Sequence, residues 1–261
     1  MYFEVSENNN SPIICNVPHS GTIIPEEFKG DFVLTENDLE KEVLYMADNF
    51  TNYLYSELLY ISSYVMSKIS RVVVDIERFQ NEEDEPMSKV GMSALYTLTS
   101  NGSILRTISD SSRHTLEKIY NDYHDSFSQL VNNSLVKNNS AIIVDCHSFT
   151  SVPRVYELEQ DSNRPDICIG ADEYHTPVEL VEILKNNFEK LGYSVEVNTP
   201  FSGSIVPFAY YKKDRRVTSV MIEVNRKLYM NEETYQKNKN FSLVSKDISR
   251  SIITSLNQFV G

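Results

Sequence analysis

Four short stretches of the sequence bring together residue types that do chemistry. They are Asn16-Val-Pro-His19-Ser-Gly21, Asp75-Ile-Glu77-Arg78, Asp145-Cys-His147-Ser148 and Glu223-Val-Asn225-Arg226. Each closes or follows an apolar, β-rich run, and in open α/β sheets ligands bind beyond the carboxyl ends of the strands. Taken singly, His19 reads as a loop histidine bonded to backbone and His147 as a satisfied core histidine. Taken together, two imidazoles at strand ends can hold a divalent cation such as zinc, provided a third ligand joins them.

The other residues have both chemical and structural readings. Glu223 sits in a strand of otherwise apolar residues (Val220, Met221, Ile222, Val224). An ionised carboxylate there is costly unless paired or facing a cavity. It is therefore either a salt-bridge partner of Arg226 or Lys227, or a general base of raised pKa. Arg78 offers a bidentate fork for a carboxylate, or a structural partner for Asp75 or Glu77. Asp48 reads as lying on the inner side of the helix that carries Met46 and Phe50, as a third ligand or as a solvated helix carboxylate. His124 is a packed helix histidine that could support the site, while His114 and His175 read as surface or cap residues. Neither Ser20 nor Ser148 lies in a Gly-x-Ser-x-Gly elbow, and there is no Walker-A loop or Gly-x-Gly-x-x-Gly.

The elements that must position these groups follow from periodicity. Strands are expected over residues 12–17, 71–76, 141–146, 166–170, 193–197 and 217–224, with an edge strand at 1–5. Several are apolar throughout, as in strands covered on both faces. Steps of three and four residues mark helices through Leu39–Ile61, Leu116–Leu130, Leu180–Leu191 and Val244–Ile252. The alternation predicts a single-domain, three-layer α/β/α fold with a mixed, mostly parallel central sheet spanning residues 1–261. Loops are expected at 81–85, as a solvated acidic run, and at 149–165.

Composition narrows the partners. The formal net charge of −13 argues against a general phosphate-backbone binder. No apolar run approaches the roughly 20 residues of a membrane span. The first ten residues lack a basic start and an apolar middle, so a cytoplasmic protein is expected. Three cysteines without a CxxC pair argue against a disulfide framework, which fits a reducing compartment.

In order along the chain, the sequence resembles the N-formylglutamate amidohydrolase family. The matching pieces are residues 16–21, 70–78 (Ser-Arg-Val-Val-Val-Asp-Ile-Glu-Arg), Tyr123-His124, 145–149, 198–203 (Asn-Thr-Pro-Phe-Ser-Gly) and 222–230. The resemblance implies a phosphorylase/hydrolase-like fold, related to zinc carboxypeptidases and aspartoacylase-like deacylases. It implies a zinc-dependent hydrolase that cuts the amide of a small N-acyl amino acid, most simply N-formyl-L-glutamate, as in histidine degradation. His19 and His147 would be zinc ligands and Glu223 the general base. Arg78, with Arg226, would hold substrate carboxylates, and Ser148, Asn198 and the 199–203 loop would line the pocket. The related deacylases carry a Glu three residues after the first His, where this chain has Thr22. The third ligand is therefore expected to be Asp48, with Asp75 and Glu77 as alternatives. Where the family often has Asp-Leu-Asn-Arg, this chain has Asp-Ile-Glu-Arg. Two other readings are a carboxypeptidase-like amidase acting on peptide or peptidoglycan stems, and a binding module that keeps the fold without catalysis.

Overall fold

The computed structural model describes every residue except Glu82, Leu158 and Gly261. Seven strands form one sheet: β1 (Phe3–Ser6), β2 (Ile13–Val17), β3 (Ser63–Ser67), β4 (Ala141–Phe149), β5 (Ile167–Gly170), β6 (Val195–Val197) and β7 (Val217–Asn225). Their spatial order is β1-β3-β2-β4-β7-β5-β6. Strands β3, β2, β4 and β7 run parallel. At one edge β1 is antiparallel to β3, and β5 is antiparallel to β7 while β6 parallels β5. The sheet is mixed and mostly parallel, with helices on both faces. The four parallel central strands thus deliver their carboxyl ends to a common edge.

Alternation along the strands explains the two cores. On one face Cys15, Val144 and Ile222 pack with Leu58, Leu184 and Ile248. These come from α4 (Ser56–Ile61), α6 (Val178–Lys190) and α7 (Phe241–Val260). On the other face Ile14, Val65 and Ile143 meet Leu116, Tyr123 and Phe127 of α5 (Asp110–Asn138). Ser109 caps α5 by accepting from the Ser112 N–H, and Asn139 ends it at φ 57°. A third cluster packs Val72, Met92, Tyr96 and Leu105 against Leu39, Val43 and Met46 of α2 (Glu36–Met46).

Three expectations need correction. Residues 71–76 are not a strand: they are turns after β3, with the Asp75 N–H bonded to the Ala94 carbonyl. The ladder position beside β2 belongs to Ser63–Ser67, whose alternating burial suits a strand near the sheet edge. Val72, Val73 and Val74 are apolar because the loop is buried, not because it pairs. Secondly, the 39–61 period is not one helix. It breaks at residues 47–50, where Phe50 takes φ 68°, before α3 (Thr51–Leu54) begins. Asp48 therefore projects from a helix break rather than from a helix face. Thirdly, the acidic run does not lie wholly in solvent: Glu85 is buried and accepts from the Phe79 and Met87 N–H groups.

Tyr55, at the α3–α4 junction, ties the helical layer to the sheet. Its buried hydroxyl lies 3.0 Å from the His147 carbonyl and 2.7 Å from the Ile222 carbonyl, donating to the two central strands. Tyr55→Phe should cost about 1–3 kcal/mol by leaving buried acceptors short of a donor. Urea denaturation would measure it, and an unchanged midpoint would contradict this role.

Candidate active site

The site assembles from the ends of three parallel strands and two segments that cross them. His19 follows β2 in a turn that Gly21 allows to lie close to the neighbouring chain. A Cβ at Gly21 would sit 2.4 Å from the Ile69 carbonyl oxygen, so only glycine fits. The His19 carbonyl accepts from the Asp48 N–H at 2.9 Å, which joins this turn to the helix break. Register places His147 of β4 directly beside Glu223 of β7, and Asn16 of β2 beside Asp145 of β4.

Carboxylates hold one nitrogen of His19 and both nitrogens of His147. His19 Nε2 donates to Asp75 Oδ1 at 2.9 Å, and His147 Nδ1 donates to Asp48 Oδ2 at 3.0 Å. His19 Nδ1 is buried and makes no hydrogen bond. It lies 3.7 Å from Glu77 Oε2, while His147 Nε2 lies 3.1 Å from the same oxygen and 3.1 Å from Asp145 Oδ1. One donor atom from each of His19, Glu77 and His147 falls within 4.8 Å of the others. A cation fits this set: two imidazoles oriented by carboxylates, a carboxylate oxygen between them, and a buried nitrogen without a partner.

The supporting groups are themselves supported. Asn16 donates both amide hydrogens, to Glu77 Oε1 (2.9 Å) and Asp145 Oδ1 (2.8 Å), and its Oδ1 accepts from Tyr123 at 2.6 Å. The Asp75–Arg78 turn is pinned to α5 by His124 Nε2 donating to the Ile76 carbonyl (2.7 Å) and Tyr120 donating to the Arg78 carbonyl (2.9 Å). Asp75 Oδ2 accepts from Arg71 Nη2 at 2.7 Å and from Tyr96 at 2.8 Å. Asp48 accepts from the Ser148 N–H at 3.1 Å and from Arg226 Nη2 at 2.9 Å.

These contacts sort the carboxylates. Burial pushes every one of them up, and the neighbours decide the outcome. The His147 hydrogen bond and the Arg226 charge hold Asp48 below its ordinary value, and Arg71 and His19 hold Asp75 well below. Glu77 is raised by burial and by the Asp145 charge, against the pull of His147. Glu223 is raised to about 8 by burial, with the Asp48 and Asp145 charges adding to it. Its Oε2 is buried without a hydrogen bond. Burial disfavours the charged form of His147, but Glu77, Asp145 and Asp48 outweigh it and raise its pKa.

Of the residues singled out in the sequence, the structure brings together His19, Asp48, His147, Ser148, Glu223 and Arg226. Arg226 also donates from Nε to Ser148 Oγ at 3.1 Å, and Glu223 has no salt bridge to Arg226 or Lys227, which pair with Asp48 and Asp166. Arg78 stands next to the cluster, 3.5 Å from Asp75 and 3.7 Å from Glu85. Asn198 follows β6, and its side-chain oxygen accepts from the Ala171 N–H at 2.8 Å and the Gly203 N–H at 3.4 Å, tying the 199–203 loop to the end of β5. His114 is exposed as expected. His175 is not a surface residue, because its Nδ1 donates to the Val217 carbonyl and its Nε2 accepts from the Lys212 N–H in a buried position. Arg71 and Tyr96 escaped notice. Arg71 lies within a stretch already singled out, four residues before Asp75, but nothing local to Tyr96 marks it.

The sequence model of the N-formylglutamate amidohydrolase family matches residues 11–230, so the chain belongs to that family. The fold is similar to that of an N-formylglutamate amidohydrolase from Ralstonia eutropha JMP134, with a TM-score of 0.82, 20% identity and 98% of each chain covered. It is also similar to a gene product of Agrobacterium tumefaciens, with a TM-score of 0.67 and 17% identity over 100% of this chain and 96% of that one. At these identities the likeness is one of fold. No curated protein matches the chain.

Glu223 gives the cation-free chain a defined pH response. Its folded pKa of about 8 lies above the ordinary value of 4.5, so the folded state binds this proton more tightly than the unfolded state. The stabilisation is complete below pH 4.5 and is lost as pH rises through about 8. After chelation, stability of the wild type should fall between pH 5 and 8 relative to Glu223→Gln, as urea denaturation at several pH values would read. Parallel profiles for the two proteins would show that Glu223 is not held in its neutral form.

Proposed function

We propose that the chain is a metal-dependent amidohydrolase that cleaves a small N-acyl amino acid, most simply N-formyl-L-glutamate, to formate and L-glutamate. The observation that carries this reading is the convergence of His19 Nδ1, Glu77 and His147 Nε2 beside Glu223, whose buried Oε2 makes no hydrogen bond. His19, Glu77 and His147 would hold the cation, taken as zinc. Glu77 replaces the expected Asp48, whose oxygens already accept from His147, Ser148 and Arg226. Asp48 and Asp75 then act by fixing the ring orientation of the two histidines. When bound, a cation of this kind polarises the acyl carbonyl and raises the nucleophilicity of water at neutral pH.

The chain's own groups supply the proton traffic. Glu223 accepts the proton of the attacking water and returns it to the nitrogen of the leaving amino acid. A carboxyl whose pKa is raised by burial suits this, because base and acid forms are both accessible near neutral pH. Arg78 is the nearest cation with a buried, unbonded N–H, its Nε, and would receive a substrate carboxylate there. Arg226 holds Asp48 and Ser148 in place, so its part is to position. No described helix is long and apolar enough to cross a membrane.

Two measurements test this. Metal analysis should find about one zinc per chain in the wild type and a loss in His147→Ala and Glu77→Ala, whereas Asp48→Asn should retain some zinc at weaker affinity. Formate release from N-formyl-L-glutamate should fall by about 10²–10⁴-fold in Glu223→Gln with zinc content unchanged. Near-native turnover in that variant removes Glu223 from the mechanism, and a wild type that binds no zinc removes the metal.

A further inference from the structure

Most cations at the cluster already answer a carboxylate. Arg71 grips Asp75 through Nε and Nη2 at 3.0 and 2.7 Å, Arg226 holds Asp48 at 2.9 Å, and Arg78 lies between Asp75 and Glu85. Arg154 differs. Among the described residues it has no acidic partner, and its Nε is buried without a hydrogen bond. Its guanidinium lies over the Tyr45 ring, 3.5 Å from the centroid. Tyr45 is in the last turn of α2, three residues before Asp48. Two residues beyond Arg154, Tyr156 crosses the same helix end and donates to Met46 Sδ at 3.4 Å. Burial raises the Tyr156 hydroxyl to about 12, against the pull of the Arg71, Arg154 and Arg226 charges.

A guanidinium stacked on an aromatic face keeps its edge N–H groups free and fixed in direction. Such a fork matches a carboxylate. The enzyme carries a net charge of −13 and gathers four buried carboxyl groups (Asp48, Asp75, Asp145 and Glu223) and the half-buried Glu77 at the site, so a substrate carboxylate beyond the one that Arg78 receives needs a cation that these do not already neutralise. Arg71 and Arg226 are bonded to Asp75 and Asp48, and Arg78 is assigned the first substrate carboxylate, which leaves Arg154, without an acidic partner among the described residues, for a second anionic group. In an N-acyl dicarboxylic amino acid that group is the side-chain carboxylate.

We propose that Arg154, on its Tyr45 platform, is a specificity-determining residue that binds the side-chain carboxylate of an acidic N-acyl amino acid. The proposal rests on the amidohydrolase reading of the site. The zinc-loaded wild type, Arg154→Met and Arg154→Lys are compared on N-formyl-L-glutamate and N-formyl-L-glutamine. Isothermal titration of L-glutamate and L-glutamine runs beside the kinetics. A charge-assisted hydrogen-bond pair lost should raise KM for formylglutamate by about 10–100-fold, with a much smaller change in kcat. The preference for the acidic substrate should collapse in Arg154→Met and return in part in Arg154→Lys, and L-glutamate should bind correspondingly more weakly. A wild type that prefers the acidic substrate and a Met variant that keeps the preference would overturn the role of Arg154. A wild type that cleaves neither substrate would overturn the amidohydrolase reading instead. In that case unchanged L-glutamate binding in Arg154→Met also overturns the carboxylate role, and lost binding upholds it.

Discussion

Asp48 is the charge on which the arrangement of this site depends. It is almost wholly withdrawn from water, yet it is ionised, because His147, the Ser148 N–H and Arg226 surround its two oxygens. An ion in such a place is costly unless it is fully hydrogen-bonded. Meeting that requirement draws β4, the segment after β7 and the α2–α3 break to one point. The backbone of the same residue binds the His19 carbonyl, so the turn after β2 is brought in as well. One residue thus fixes both imidazoles relative to each other.

Desolvation also explains the division of roles among the acids. Asp48 and Asp75 each have a guanidinium neighbour and remain charged, which leaves them fit to orient histidines. Glu223 has no such neighbour bonded to it and stays neutral near pH 7 in the cation-free chain. Chemically similar side chains on one sheet edge are thereby separated into fixed anions and a mobile-proton group, by environment alone.

Much of the site could be read in the sequence, because a polar residue in an apolar strand end is conspicuous. His19, His147, Glu223 and Arg226 stand out for that reason, and the mixed sheet follows from alternating strand and helix periods. What could not be read was set by tertiary contact. Residues 71–76 look like a strand since burial alone selects valine, and only pairing separates a buried turn from a ladder. The proposed exchange of Glu77 for Asp48 as third ligand has a similar cause. Both are acids in stretches of comparable composition, and they differ in which nitrogen of His147 each one meets. Arg154 and Tyr45 lie 109 positions apart, so no local pattern could join them.

The Asn16–Tyr123 pair has a consequence for how substrate charge would be felt across the molecule. Asn16 spends both hydrogens on Glu77 and Asp145, and its one carbonyl oxygen faces the Tyr123 hydroxyl from the middle of the longest helix. The amide therefore has a single allowed orientation: flipping it would set its oxygen against two carboxylates. Asn16 works as a polarity key, admitting only one sense of hydrogen-bond direction from α5 through the sheet to the site. Tilting or sliding that helix would turn the key, so the floor of the site is stiffened from 107 residues away along the chain.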